Sequence, residues 1–322
     1  MDWSTADVPD QNGRTALVTG GSGGIGLETA RGLAARGARV VLACRSVERG
    51  RAAAARIGGR TEVVRLDLAS LDSVRQAAAE IQGRYERLDL LVNNAGVMFP
   101  PFGRTEDGFE AHFGVNHLGH FALTGLLLGL MRHAPGSRVV TVSSLAHRVG
   151  TAGFGDGRAR SPDGRRSVRA YGQSKLANLM FARELQRRLA GAGAATVSLA
   201  AHPGLSATGL WHGDPPALLR PVAGAALRWI AQPPDRAALP SLRAATDRLV
   251  PGGAYLGPRA FFESRGAPVP ARSSRESLDA SAQVRLWELS QELTGVRYRL
   301  APGGVPAGAS EPVTRQTGAA GR

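Results

Sequence analysis

This chain of 322 residues has one cysteine, four tyrosines, four methionines and, among its 40 basic side chains, a single lysine. The lone Cys44 excludes an internal disulfide framework and a cysteine-rich zinc site. The seven histidines and that cysteine show no metal-ligand spacing, so no metal is expected. No apolar run approaches the ~18 residues that suggest a membrane span. Residues 1–12 are polar and contain Asp2, Asp7 and Asp10, unlike a secretory leader, so the expectation is a soluble, cytoplasmic protein. Acidic residues number only 26, leaving a net charge of +14, which raises nucleic acid or an anionic membrane as a partner. Most arginines, however, are scattered through helical segments. The one dense cluster, five within Arg158–Arg169, has no nucleic-acid-binding motif beside it. The charge reads as compositional and no nucleic-acid partner is expected; a secondary polyanion affinity stays open.

Apolar strands alternate with longer helical patterns. The candidate strands are residues 14–19, Arg39–Ala43, Glu62–Leu66, Leu88–Val92, Arg138–Ser143 and Ala195–Ala200. The candidate helices are Gly24–Arg36, Val47–Ile57, Leu71–Tyr85, Glu106–Met131 with a break near His112–Asn116, Tyr171–Leu189, Asp235–Thr246 and Glu276–Leu293. Such alternation implies crossover units and a parallel sheet covered on both faces, the doubly wound α/β architecture. The expected organisation is a flexible N-terminus (1–12), one domain (13–300) and a disordered tail (301–322). Pro/Gly-rich stretches mark loops at Gly150–Arg166, Gly209–Pro221 and Pro251–Pro270.

The single lysine, Lys175, stands four residues after Tyr171, so on a helix the two share one face. In a chain that otherwise uses arginine, a surviving lysine marks a site where a compact cation is needed and a planar guanidinium will not serve. A fixed cation near a phenol stabilises the phenolate and lowers its pKa, which suits a tyrosine to proton transfer. A second signal is Thr19-Gly20-Gly-Ser22-Gly-Gly24-Ile25-Gly26, a glycine-rich turn between a strand and a helix. Such a turn lets backbone N–H groups and a helix N-terminus approach a pyrophosphate. The second strand ends in Cys44-Arg45-Ser46 with no Asp or Glu to hold ribose hydroxyls. Arg45 there argues for a 2′-phosphate, hence NADP(H) over NAD(H), with Ser22 and Ser46 as hydroxyl partners. An accidental arginine is the competing explanation in so Arg-rich a chain.

Together these residues resemble the short-chain dehydrogenase/reductase family over roughly residues 13–295. The motifs that carry the resemblance are Thr19-Gly20-x-x-x-Gly24-Ile25-Gly26, Asp67, Asn93-Asn94-Ala95-Gly96, Asn116, Ser143-Ser144, Tyr171-x-x-x-Lys175 and Pro203-Gly204. Wording such as Cys44-Arg45-Ser46 and Val115-Asn-His-Leu-Gly-His-Phe121 is closest to the retinol-dehydrogenase-like and WW-domain-oxidoreductase-like branch. The resemblance implies a single-domain Rossmann-type fold. It also implies hydride transfer between nicotinamide and a carbonyl or alcohol of a small, lipophilic molecule. In it Tyr171 is the general acid or base, Lys175 lowers its pKa and bonds the nicotinamide ribose, and Ser144 rather than Ser143 bonds the substrate oxygen. Asn116 holds a relay water in a helix break. Asp67 and Leu68 contact adenine, Asn93 the ribose region, and Asn94, Ala95 and Gly96 brace the fourth strand's end. Pro203, Gly204 and Thr208 line the nicotinamide, with Thr208 bonding its carboxamide.

The substrate end is less legible. The stretch 150–169 is a lid or a surface loop, and 205–230, with Trp211 and Trp229, is an apolar flap or core packing. No Gly-x-Ser-x-Gly elbow supports a hydrolase reading of His147 or His117. Two rivals remain open: a catalytically weak, NADP(H)-binding regulatory protein, and a polyanion binder using Arg158–Arg169. A homo-oligomer is compatible with either.

Overall fold

The computed structural model describes residues 2–101, 103–157, 164–205 and 232–300. Its strands are β1 (Thr15–Thr19), β2 (Arg39–Cys44), β3 (Thr61–Arg65), β4 (Leu90–Asn93), β5 (Arg138–Val142), β6 (Val197–Ala201), β7 (Tyr255–Ala260) and β8 (Arg265–Pro270). They form one sheet in the order β3-β2-β1-β4-β5-β6-β7-β8, parallel except for β8, which runs antiparallel to β7. The order reverses direction between β1 and β4, the switch point where open parallel sheets bind ligands at their carboxyl ends.

The helices are α1 (Gly24–Ala34), α2 (Val47–Ile57), α3 (Leu71–Arg84), α4 (Ala111–Phe113), α5 (Gly119–Leu127), α6 (Gly164–Gly191), α7 (Pro234–Ala237), α8 (Leu239–Thr246) and α9 (Ala280–Thr294). Successive strand side chains point to opposite faces, and the core divides accordingly. Leu17, Val41, Leu91 and Val139 pack with α3, α5, α6 and α9. Their neighbours Val18, Leu42, Val92 and Val140 pack with α1, α7 and α8. Both faces are dry, which is why these strands read as unbroken apolar runs.

Several expectations need correction. The Pro251–Pro270 stretch, read as a loop, holds β7 and β8. Proline lacks an N–H and is demoted from central strands, yet Pro258, Pro268 and Pro270 sit in an edge hairpin, where it is tolerated. The helix expected from Glu106 starts at Ala111, after an Arg104–Glu110 bridge. The expected break is a π-helical turn, Gly114–Leu118, between α4 and α5. The helix expected from Tyr171 begins at Gly164. Residues 2–12, expected to be a loose arm, are packed: Val8 and Gln11 are buried, and Trp3 lies against the core. Ala111–Leu130 is long and apolar enough to cross a membrane, but it is mostly buried inside the protein, as a core helix is. The tail from 301 and the stretch 206–231, with Trp211 and Trp229, lie outside the described residues, as do 158–163 within the expected lid.

Candidate functional site

The glycine turn lies where β1 meets α1. Gly20 has φ +67°, and a Cβ there would stand 3.0 Å from the Cα of Ala95, so the turn rests directly on the end of β4. Gly24 opens α1 behind Gly23, which supplies no side-chain cap, so the first-turn N–H groups are not closed off by a capping side chain. Ile25 and Gly26 are buried beneath it, and Ser22 is half-buried. Thr19 is fully buried, and its hydroxyl oxygen accepts from the N–H groups of Asn94 and Ala95, both at 2.9 Å. Asn94 donates its side-chain amide to Thr19 O at 2.8 Å. An uncapped helix start behind a positive-φ glycine suits a dinucleotide pyrophosphate.

Tyr171 and Lys175 lie on α6, both buried, with Lys175 Nζ 5.8 Å from the centre of the Tyr171 ring. Lys175 also donates to Val142 O at 3.2 Å. Burial lowers the ammonium to about 8. Burial likewise pushes the Tyr171 phenol above its ordinary value, and a hydrogen bond with Ser144 draws it only part of the way back. The expected depression of the phenol by Lys175 is therefore not what the protein's own groups produce. Desolvation of the buried phenol is the dominant influence on it.

Ser143 and Ser144 are separated by their partners. Ser143 is buried and donates to Lys175 O at 2.7 Å, whereas Ser144 is half-buried, accepts from Ala146 N at 3.2 Å and lies beside the Tyr171 phenol. Asn116 sits in the π turn. Its Oδ1 accepts from Val97 N at 2.8 Å, and its Nδ2 donates to Val97 O and to Ser174 Oγ at 3.1 and 3.0 Å. That amide is committed to protein partners and clamps the π turn to the segment after β4. A Cβ on Gly96 would come within 3.1 Å of Asn116 Oδ1 and 3.4 Å of Lys175 Nζ, so only glycine lets β4 lead into this corner so closely.

The remaining expected residues divide. Asp67 caps its own loop through Ala69 N, and Leu68 is buried beneath Gly119. Asn93 turns into the core, fully buried, and donates to Thr124 Oγ1 at 2.9 Å; its side chain does not face the groove. Pro203 O accepts from Gln232, and Gly204 follows with φ +71°. Arg45 is exposed just past β2, while Ser46 caps α2 and donates to Glu48, so its hydroxyl is engaged. Thr208 lies outside the described residues.

Three histidine contacts were not anticipated. His120 Nε2 is 2.8 Å from Thr19 Oγ1, and its Nδ1 is 3.0 Å from Asn116 O. Burial lowers its pKa to about 4, so the ring is neutral; Nδ1–H donates to the carbonyl and Nε2 accepts the hydroxyl proton. The Asn116/His120 spacing of four is the signal that was there to read. His147, buried, donates from Nδ1 to Ser144 O at 2.7 Å and accepts from Ser274 N, and so steadies the serine. His112, flanked by Glu110 at 2.6 Å on Nδ1, accepts from Phe99 N at 3.2 Å. Burial pushes Glu110 up, but hydrogen bonds from His112 and the His112 and Phe113 backbone outweigh it and hold the carboxyl below its ordinary range. Phe99 has φ +52°, and its ring and that of His112 stand 6.1 and 6.0 Å from the Tyr171 ring. These two rings form an aromatic wall beside the phenol. His117 belongs to the core, bonded to Ser290 Oγ.

A family model described as short chain dehydrogenase matches residues 14–216. This chain belongs to the short-chain dehydrogenase family. Human retinol dehydrogenase 13 is 41% identical over 305 residues, which cover 91% of this chain and 87% of that protein. A crystal structure of an uncharacterized protein from Mycobacterium paratuberculosis is 42% identical. It covers 93% of this chain and 100% of its own, with a TM-score of 0.77. The Pseudomonas aeruginosa RhlG/NADP active-site complex is 26% identical with a TM-score of 0.59, over 76% of this chain and 94% of that one. The short-chain dehydrogenase described here falls in the retinol-dehydrogenase-like branch and is an NAD(P)-dependent oxidoreductase acting on CH–OH groups.

Proposed function

We propose that this enzyme uses NADP(H) to interconvert a carbonyl and an alcohol on a lipophilic small molecule, with Tyr171 as general acid and base. The observation that carries the reading is the buried Tyr171 phenol beside Ser144, with the chain's only lysine 5.8 Å from its ring centre. When bound, the reduced nicotinamide supplies a hydride to the carbonyl carbon. The chain's own residues handle the oxygen and its proton. A phenol raised by burial is fully protonated at neutral pH, so Tyr171 Oη holds the proton to be donated to the carbonyl oxygen. Ser144 Oγ–H bonds that oxygen as negative charge develops on it. The Lys175 ammonium, charged below about pH 8, offsets the charge left on the phenolate. In alcohol oxidation the same groups act in reverse.

NADP(H) preference rests on Arg45, exposed past β2 where a carboxylate would favour NAD(H). Of the two hydroxyls considered beside it, Ser22 supports the same reading better, because Ser46 is engaged by α2 and Glu48. A lipophilic substrate is supported by the aromatic wall of Phe99 and His112 and by relatives named retinol dehydrogenases.

The test is NADPH and NADH oxidation, followed by absorbance, against aldehydes, ketones and retinal, with wild type and Tyr171→Phe side by side. Wild type is expected to turn over with NADPH. The variant should lose about 10³-fold in turnover, within the range for a positioned proton donor, while its NADPH Kd changes less than threefold. Near-wild-type turnover by the variant removes Tyr171 from the mechanism. Tight NADPH binding with no turnover across the panel favours the regulatory reading.

A further inference from the structure

The turn joining β7 to β8 holds three successive residues in left-handed backbone: Phe261, Phe262 and Glu263, with φ of 50°, 55° and 64°. Residues with a Cβ rarely adopt it, and a run of three persists only where the surroundings over-determine it. Glu263 Oε2 accepts from Arg148 Nη2 at 2.6 Å, and Glu263 Oε1 accepts from Arg272 N at 2.9 Å. Ser264 O accepts from Leu205 N at 3.0 Å. These contacts fix the backbone and none involves the phenyl rings. Phe262 is 96% exposed, Phe261 69%, and neither joins a core cluster. Glycine or asparagine would make this turn with less strain. Neither folding nor turn geometry therefore explains two phenylalanines at its tip.

Their neighbours extend the pattern. Leu205 is bonded to Ser264, so its exposed side chain stands beside the same turn. Three of the six large apolar side chains exposed among the described residues thus gather at one hairpin. Around them stand five arginines, Arg148, Arg236, Arg259, Arg265 and Arg272, against the carboxylates of Glu263, paired with Arg148, of Asp2, paired with Arg259, and of Asp235. The Arg265 guanidinium lies 5.5 Å from the Phe261 ring centre.

We propose that this hairpin is a peripheral docking surface for an anionic lipid bilayer, the two phenyl rings entering the boundary between headgroups and acyl chains and the arginines meeting lipid phosphates. A protruding aromatic tip in a basic rim matches the charge and the softness of such a surface. Ser144 starts the short turn that carries Arg148 and Val149, so docking would set the candidate site beside bilayer-dissolved molecules. That last link rests on the lipophilic-substrate reading; the docking itself does not.

The test is co-sedimentation of the full chain with vesicles of phosphatidylcholine containing about one-third phosphatidylglycerol, against phosphatidylcholine alone. The proteins are wild type, Phe261→Ser/Phe262→Ser and Phe262→Trp. Wild type is expected to partition to the anionic vesicles. The double variant should partition about a hundredfold more weakly, about tenfold per ring withdrawn from the bilayer, with unchanged far-ultraviolet dichroism and unchanged NADPH affinity. Phe262→Trp should show a blue-shifted emission on vesicles that persists in half-molar salt. Equal partitioning of wild type and double variant, or no sedimentation of wild type, overturns the proposal. So does a double variant that turns a dimer into a monomer in light scattering, which would assign the tip to a second copy of the chain. Vesicle binding needs no turnover, so its failure is distinct from failure of the oxidoreductase reading.

Discussion

Removing the charge of Lys175 should make the protein more stable and catalytically dead. The side chain is 4% exposed, and burial brings its ammonium from an ordinary 10.5 to about 8. At ~1.4 kcal/mol for each tenfold change, the protonated form costs about 3 kcal/mol to fold. Lys175→Met removes that cost and keeps the volume. It also removes the bond to Val142 O, a loss of about 1 kcal/mol, though Val142 O still accepts from Asn178 Nδ2 at 3.1 Å. The net gain is about 2 kcal/mol at pH 7. The sign can be checked against pH. Between about 8 and 10.5 the unfolded chain holds a proton that the folded one has released, so wild-type stability rises with pH across that window. Below about 8 both states are protonated and the full penalty stands. Urea unfolding of both proteins from pH 7 to pH 10.5 should show the variant's advantage shrinking as pH rises. Cys44 and the tyrosines titrate in both, so the difference between the curves isolates Lys175. A variant that is less stable at pH 7, with a constant difference to pH 10.5, would refute the reasoning.

Arg45→Asp should shift the ratio of kcat/KM for NADPH over NADH by ten- to a hundredfold toward NADH, the size of one charge-assisted hydrogen bond; an unchanged ratio means that Arg45 does not read a 2′-phosphate. His117, His120 and His202 are buried, and burial brings them to about 3, 4 and 3, so below pH 6.5 the unfolded chain takes up three protons that the native state refuses. Stability should then fall as pH drops, by about 4 kcal/mol per pH unit at most, and a flat urea midpoint from pH 7 to 5 would contradict it. His112→Leu removes the acceptor for Phe99 N and should free the aromatic wall. KM for a lipophilic substrate should rise about tenfold with kcat within threefold, the signature of lost ground-state contact; a fall in kcat alone would move His112 into the proton-handling machinery.

The parallel sheet and the corner that holds Tyr171 were legible because each rests on a local rule: apolar runs for buried strands, a glycine turn before α1, a spacing of four on α6. What was not legible depends on depth or on tertiary override. Spacing places Lys175 and Tyr171 on one face, but it does not say that both are buried, and burial decides the direction of the phenol's shift. The residues of β7 and β8 carry prolines that count against a strand; Pro268 and Pro270 are permitted by the edge position of β8, and Pro258 lies past the last pairing of β7 with β6. Asn116 marked an irregularity correctly, but a π turn keeps the helix running where a break was expected. Val8 and Trp3 were two apolar residues in a polar arm, too few to form a pattern, yet sufficient to pack it.

The histidine most easily overlooked joins the two halves of the site. Asn94 and Ala95 N–H groups donate to Thr19 Oγ1, Thr19 donates to His120 Nε2, and His120 Nδ1 donates to Asn116 O. Asn116 Nδ2 then donates to Ser174 Oγ, which donates to Tyr171 O. Every step is 3.0 Å or shorter and buried or nearly so, a setting in which successive bonds polarise one another. The turn suited to a pyrophosphate is thereby held in register with the helix that carries the phenol, through side chains rather than through the sheet alone. A neutral imidazole suits the middle of this chain because it accepts from a hydroxyl on one edge and donates to a carbonyl on the other across a rigid ring. Its burial is then part of the design: the same desolvation that keeps His120 neutral keeps both of those bonds pointing one way.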